Sequence, residues 1–255
     1  MRVILMGASA LLGRKLALRL SLHSSELVIA ARQEDRLQCV AAEIGDSTTV
    51  DVVAFDLANS RATQHAAESI LARHPKIDVL INVAGGSYVG PLNECASSTL
   101  RHEVDAYVRG LSLFTALMLP ALRQAKTSLI VNLLADWVTR TGAMEGGNAL
   151  FTMTKTALAA FGEGIASEEW RNGVAVSNVY LGEMSPLDDT SRISRTPHGL
   201  PELLSMDEVC DFVERLIFMD TARISSITLV PADRSYARRR AQAGGSAWDI
   251  DLGDG

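Results

Sequence analysis

Two groups of residues in this chain have types and spacings suited to chemistry. One is the loop Met6-Gly7-Ala8-Ser9-Ala10-Leu11-Leu12-Gly13, set between an apolar run and a segment of helical periodicity. A dinucleotide pyrophosphate could rest there, on the free N–H groups and positive dipole end of a helix N-terminus. On a plainer reading, Gly7 makes the turn, Gly13 packs helix on strand, and nothing is bound. The other group centres on Lys155, one helical turn after Phe151 in Asn148-Ala149-Leu150-Phe151-Thr152-Met153-Thr154-Lys155. Lys155 supplies a cation, whereas Phe151 supplies no titratable atom. Asp136-Trp137 adds a carboxylate beside an aromatic ring, a setting that can raise a carboxyl pKa.

The elements that position these groups follow from hydrophobic periodicity. Val3–Met6 reads as a buried strand, and Leu12, Leu16 and Leu20 then recur at helical spacing. Further strands are expected at 27–31, 50–55, 77–81, 128–134, 174–179 and 224–230, with helices between them, including 104–123, 150–170 and 207–219. Strands that are apolar throughout and alternate with helices imply a parallel sheet covered on both faces. The expected fold is therefore α/β, a doubly wound seven-stranded parallel sheet in one domain over 1–235. Residues 183–205, with Pro186, Pro197, Gly199 and Pro201, read as a loop, and 236–255 as a C-terminal tail.

Composition narrows the function classes. At 255 residues and a net charge of -6, the chain gives no reason to expect nucleic acid or an anionic membrane as partner. Cys39, Cys95 and Cys210 are isolated, which fits no zinc ligand pattern or disulfide framework and suits a reducing cytoplasm. No apolar stretch approaches the roughly 20 residues needed to span a bilayer.

The glycine loop resembles the Thr-Gly-x-x-x-Gly-x-Gly loop of the short-chain dehydrogenase/reductase family, a Rossmann-like fold that binds NAD or NADP. Gly7 and Gly13 match its first and third glycines, and Leu11 stands where the middle one would be, beside Leu12. The resemblance implies that a side chain at Leu11 crowds the pyrophosphate. Arg32, after the second strand, is similar to the arginine that meets the 2'-phosphate in NADP-preferring members. It could equally be a solvated arginine at a helix start. Asp56-Leu57 resembles the adenine-contacting pair, and Asn82-Val83-Ala84-Gly85 resembles the Asn-Asn-Ala-Gly motif that supports the sheet centre.

The same resemblance implies a catalytic asparagine, serine, tyrosine and lysine. Here those positions hold Tyr107, Ala135, Phe151 and Lys155, so only the lysine is retained. The family's Pro-Gly after the sixth strand becomes Leu181-Gly182, Ser185-Pro186 still resembles the pair that meets the carboxamide, and the closing Val-Asp-Gly-Gly becomes Val230-Pro231-Ala232-Asp233. Tyr107, Tyr88, Tyr180 or Asp136 could reach the vacated position. The pattern implies a catalytically impaired or inactive subunit that assembles with an active paralogue. In this it is similar to the non-catalytic partner of paired-subunit dehydrogenases, such as the one that oxidises a hydroxybenzylsuccinyl-CoA. Family members associate as dimers or tetramers through helices equivalent to about 104–123 and 150–170, and Ala157, Ala160 and Gly164 put small residues on one face of the latter. Two other readings stay open: an active NADPH-dependent reductase with a site rearranged around Lys155, and a nucleotide- or acyl-ligand-binding regulatory protein.

Overall fold

The computed structural model describes residues 1–85, 88, 90–139, 149–185, 203–219 and 223–232. Seven strands form one all-parallel sheet: β1 (Arg2–Met6), β2 (Glu26–Ala31), β3 (Thr49–Ala54), β4 (Val79–Asn82), β5 (Ser128–Ala135), β6 (Val174–Leu181) and β7 (Ser226–Leu229). Their spatial order is β3-β2-β1-β4-β5-β6-β7, so the chain reverses direction across the sheet between β1 and β4. That reversal opens a crevice at the carboxyl ends of the two strands, where doubly wound folds bind ligands.

The helices are α1 (Leu11–Ser21), α2 (Glu34–Ile44), α3 (Ser60–Arg73), α4 (Ser97–Val104), α5 (Leu111–Leu122), α6 (Ala149–Glu169) and α7 (Met206–Ile217). Alternate strand residues feed two cores, as the two-residue strand period requires. Val3 and Leu5 pack with Leu16, Leu37 and Val213 of α1, α2 and α7. Ile4 and Met6 pack with Ile70, Phe114 and Leu158 of α3, α5 and α6. β1, β2, β4, β5 and β6 are buried along most of their length, which explains why they read as apolar runs, whereas the edge strands β3 and β7 are partly exposed.

Most boundaries shift by a residue or two, and two of the differences have a clear cause. β4 starts at Val79, because Ile77 ends the preceding connection with its amide bonded to Ala121 rather than to the sheet. The helix expected at 104–123 starts a full α-helical segment earlier, at Ser97, and passes through a π-helical turn at Asp105–Gly110 before α5. Its first two turns are polar and mostly exposed, so apolar periodicity does not reveal them; Glu103 is the one buried residue of α4. The tail from residue 236 and most of the 183–205 loop, Pro186 included, lie outside the described residues, as do Asn148 and Asp233.

Candidate active site

Three asparagines in register tie the sheet centre together. Asn82, Asn132 and Asn178 lie side by side on β4, β5 and β6. Asn82 donates to Asn132 at 2.8 Å, Asn132 donates to Asn178 at 2.9 Å, and Asn178 donates to the Ala159 carbonyl of α6 at 3.1 Å. A Cβ on Gly162 would come within 2.7 Å of this chain of amides, so a glycine there lets α6 seat against the sheet. Asn82 therefore serves the scaffold, and its buried amides fix the height of α6 and with it Lys155.

The turn after β1 requires its glycines. Gly7 has φ +97, and a Cβ on it would lie 2.7 Å from the amide nitrogen of Ala84. A Cβ on Gly13 would run into the Gly7 carbonyl. These two glycines thus close β1 onto α1, as the plainer reading of the loop holds. The same geometry leaves the helix N-terminus available. Ala10 offers no side-chain cap and the first turn of α1 holds no acid, so its first amides lack both intrahelical and side-chain acceptors. By contrast, α3 is capped by Asn59 and α7 by a Ser205–Glu208 capping box. Leu11 is 58% exposed as the first residue of α1. It borders the helix N-terminus exposed to solvent, while Leu12 is buried.

At the other end of the crevice, Arg32 follows β2 and donates from Nη1 to Nε2 of His102 on α4, at 3.1 Å. A guanidinium can only donate, so His102 accepts here. The Asp56 carboxylate accepts from the Ala58 amide at 2.9 Å, and Leu57 is buried beside it. Arg109 in the π-helical turn donates to the Ala58 carbonyl at 2.9 Å and to Ser60, which pins that turn to the segment after β3. Between them is a cleft of about 330 Å³ lined by Ala58, Ser97, Ser98, Arg101, His102 and Asp105.

Lys155 is buried, 7% exposed. Its ammonium donates to the Leu133 carbonyl at 3.1 Å and sits 5.8 Å from the centre of the Phe151 ring. A Cβ on Gly85 would collide with the end of this side chain, so Gly85 makes room for the lysine beyond β4, and Ala84 keeps that strand end bonded to Met6. Burial pulls the Lys155 pKa down to about 8, and the nearby Glu103 carboxylate opposes the shift.

The structure brings Lys155, Phe151 and Gly85 together. Ala135 ends β5 opposite Leu181, and neither it nor Leu134 carries a hydroxyl. Asp136, fully buried, opens a 3₁₀ turn packed between α6 and β6. Burial, first of all, raises the pKa of Tyr107, with Glu103 and Asp56 adding to the rise and Arg32 opposing it. Tyr88 spends its hydroxyl on the Pro91 carbonyl at 2.9 Å. Tyr180 is buried on β6, in the core beneath α5 and α6. Reading the sequence for motifs passes over Glu103 and His102. A signal exists for the first: Glu103, Tyr107, Gly110, Phe114 and Met118 recur at spacings of three and four, so the inward stripe of α5 extends back onto an acid.

The model of the short chain dehydrogenase family matches residues 1–194. The chain belongs to that family. It is 31% identical over 217 residues to a fatty acyl-CoA reductase of Mycobacterium tuberculosis, covering 81% of this chain and 70% of that one. It is 35% identical over 127 residues to dehydrogenase/reductase SDR family member 7B of Danio rerio, where the match spans 47% of this chain and only 41% of the relative. A metagenomic short-chain oxidoreductase solved in complex with NADP superposes with a TM-score of 0.75 at 25% identity, over 92% of this chain and 98% of that one. As a short-chain dehydrogenase, the chain keeps the fold's doubly wound sheet and crevice. Among the described residues, no helix is long and apolar enough to cross a membrane.

Proposed function

We propose that this short-chain dehydrogenase is a nucleotide-binding subunit, impaired in the family's proton-transfer chemistry, that works in assembly with an active paralogue in an NAD(P)-dependent alcohol or hydroxyacyl dehydrogenase. The observation that carries the reading is Lys155 beside an aromatic ring at Phe151, with an alanine at 135 and a tyrosine at 107 where the family resemblance implies a serine and an asparagine.

The residues present fit a dinucleotide. The uncapped N-terminus of α1 would take the pyrophosphate, Asp56 and Leu57 the adenine side, and Lys155 the nicotinamide ribose. Arg32 and His102 favour NADP(H), because a guanidinium beside an imidazole matches a phosphate monoester and no acid stands at the end of β2 to accept from a ribose hydroxyl. When bound, the nicotinamide accepts or gives a hydride. This chain holds a cation near the reacting end but offers no hydroxyl acid at Phe151 to move the accompanying proton. Losing general acid–base assistance costs about 10²–10⁴ in rate, and losing a polarising donor costs about 10²–10³ more, without simple additivity.

The outer face of α6 supports the assembly reading. Ala160 and Gly164 are exposed and Ala157 is half-buried, with Met153 exposed on the turn before, so the small-residue face is turned away from the chain's own sheet. Nothing lies within 4 Å of a Cβ placed on Gly164. A second helix could approach such a face closely. The test is an assay of NADPH oxidation with alcohol, carbonyl and acyl-thioester panels, for the chain alone and co-expressed with a family member that has an intact Tyr-x-x-x-Lys. Turnover only in the mixed assembly is expected. Ordinary turnover by the chain alone would overturn the proposal in favour of a reductase rearranged around Lys155.

A further inference from the structure

At the amino-terminal end of the sheet, opposite the crevice, one histidine is held between two acids. His74 closes α3 as its C-terminal cap and is 7% exposed. Its Nδ1 lies 2.9 Å from Oε2 of Glu26 at the start of β2, and its Nε2 lies 3.0 Å from Oδ2 of Asp51 on β3. An ionised carboxylate can only accept, and a neutral imidazole donates from one nitrogen only. Both contacts are therefore hydrogen bonds only when the ring is an imidazolium. With one proton gone, a ring lone pair faces a carboxylate oxygen across the same gap, and one of the two bonds is lost.

The strand that this ring reaches is the edge of the sheet. β3 pairs with β2, and its residues are mostly part-exposed, so apolar packing secures it less than the central strands. It leads directly into Phe55, Asp56 and Leu57 at the crevice. The charged groups around the ring are Arg2 on β1, Arg73 on α3, and Asp78 with Lys76 in the connection from α3 to β4. Arg2 pairs with the same Glu26 oxygen at 2.9 Å, and Arg73 with the same Asp51 oxygen at 3.0 Å. Asp78 accepts from the Arg2 amide at 2.7 Å, and Lys76 lies 3.7 Å from its carboxylate. Removing one partner of a buried ion pair is costly because it strands the other charge. Here each acid keeps an arginine, so the ring can give up its proton without stranding either carboxylate. Burial acts to raise the Glu26 pKa, but the bonds from Arg2 and His74 outweigh it and hold this acid below its usual range, so it stays ionised at neutral pH.

We infer that His74 is a proton-operated latch: as an imidazolium it fastens the edge strand β3 and the end of α3 to β2, and when it gives up its proton the edge strand is freed to open. The latch is set at lower pH, while both acids are ionised, and released as pH rises. Histidine is the side chain suited to such an exchange near neutral pH. The inference stands independently of the nucleotide reading.

Hydrogen–deuterium exchange of the whole chain, followed by mass spectrometry and corrected for the intrinsic rate at each pH, reads the latch. Protection of β3 should fall at least about tenfold between pH 6 and pH 9, the scale of one charge-assisted hydrogen bond, while β5 and β6 keep theirs. His74→Gln, which cannot bridge the acids as a cation, should lack that fall. Equal protection of β3 at the two pH values in the native chain, or the same fall in His74→Gln, would overturn the inference. Should the variant not fold, the ring ¹⁵N shifts of His74 in the native chain, assigned through its own backbone amide, still decide. Two ring protons at pH 6 and one at pH 9 are expected, and the same number at both would overturn it.

Discussion

The ammonium nitrogen of Lys155 lies 5.8 Å from the centre of the Phe151 ring, one turn away on the same helix. That distance is at the outer reach of a cation–π contact, and the ring offers the lysine a face but no proton. With a phenyl ring at 151 the pair is a packing contact without a titratable partner for the lysine.

Restoring the hydroxyl alone is therefore expected to do little. Phe151→Tyr should raise NADPH oxidation by less than about tenfold on any carbonyl substrate, well short of the 10²–10⁴ that a working general acid supplies. Ala135 still carries no hydroxyl, and Tyr107 still stands where the family resemblance implies an asparagine. Recovery of ordinary turnover by this one change would show that Ala135 and Tyr107 do not matter.

The buried lysine should leave a mark on stability. Its folded pKa of about 8 lies below the usual 10.5, so the folded chain binds fewer protons than the unfolded chain between those values. Stability from this group consequently rises as pH increases from about 8 toward 10.5, by up to roughly 3 kcal/mol. Urea unfolding at pH 7.5, 9 and 10 should show this rise in the native protein, and Lys155→Met should lack it. Parallel pH dependence in the two proteins would contradict the placement of Lys155 in the core.

Arg32 and His102 give a cofactor-selective prediction. Arg32→Ala removes a charge-assisted partner worth about 1.5–3 kcal/mol to an anion, so NADPH should bind at least tenfold more weakly while NADH is little changed. His102→Ala should weaken NADPH by a smaller factor, because it removes the acceptor that holds the guanidinium in place. Equal losses for both dinucleotides in Arg32→Ala would mean that the arginine supports the fold and not the phosphate.

Assembly should be separable from folding. Ala160 is exposed, so Ala160→Arg costs the monomer little, yet it puts a charged side chain where a second helix would approach. Size-exclusion chromatography with light scattering should show a smaller particle and an unchanged circular dichroism spectrum. An unchanged mass would place the interface elsewhere. Glu169→Gln is a useful contrast: it loosens the bidentate ion pair with Arg123 that joins the ends of α5 and α6. The folded chain holds this carboxyl below its usual pKa through that pair. Its contribution is thus present above about pH 4.5 and lost on acidification, and the variant should show a weaker acid transition.

Much of this was legible in the sequence for physical reasons. Parallel strands buried on both faces write long apolar runs, so β1, β2, β5 and β6 stand out. Gly7, Gly13 and Asn82 are forced by close backbone approach or by buried amide pairing, and they match the family for that reason. The start of α4 was hidden because its first turns face solvent and carry no apolar period. The π-helical turn at Asp105–Gly110 was hidden because it adds a residue to the helix that no motif records. Glu103 was passed over because an acid on a helix is normally read as a solvated face, although its three-and-four spacing with Tyr107, Gly110 and Phe114 continues the inward stripe and the structure buries it.

On the proposed reading, the crevice is a nucleotide site that selects the phosphorylated dinucleotide and lacks the family's usual proton-transfer hydroxyl. Calorimetric titration of the purified chain, alone, with NADPH and then with NADH tests it most directly. The account predicts micromolar binding of NADPH and clearly weaker binding of NADH. Failure of both to bind would contradict it, and would mean that Leu11 closes the helix N-terminus to the pyrophosphate after all.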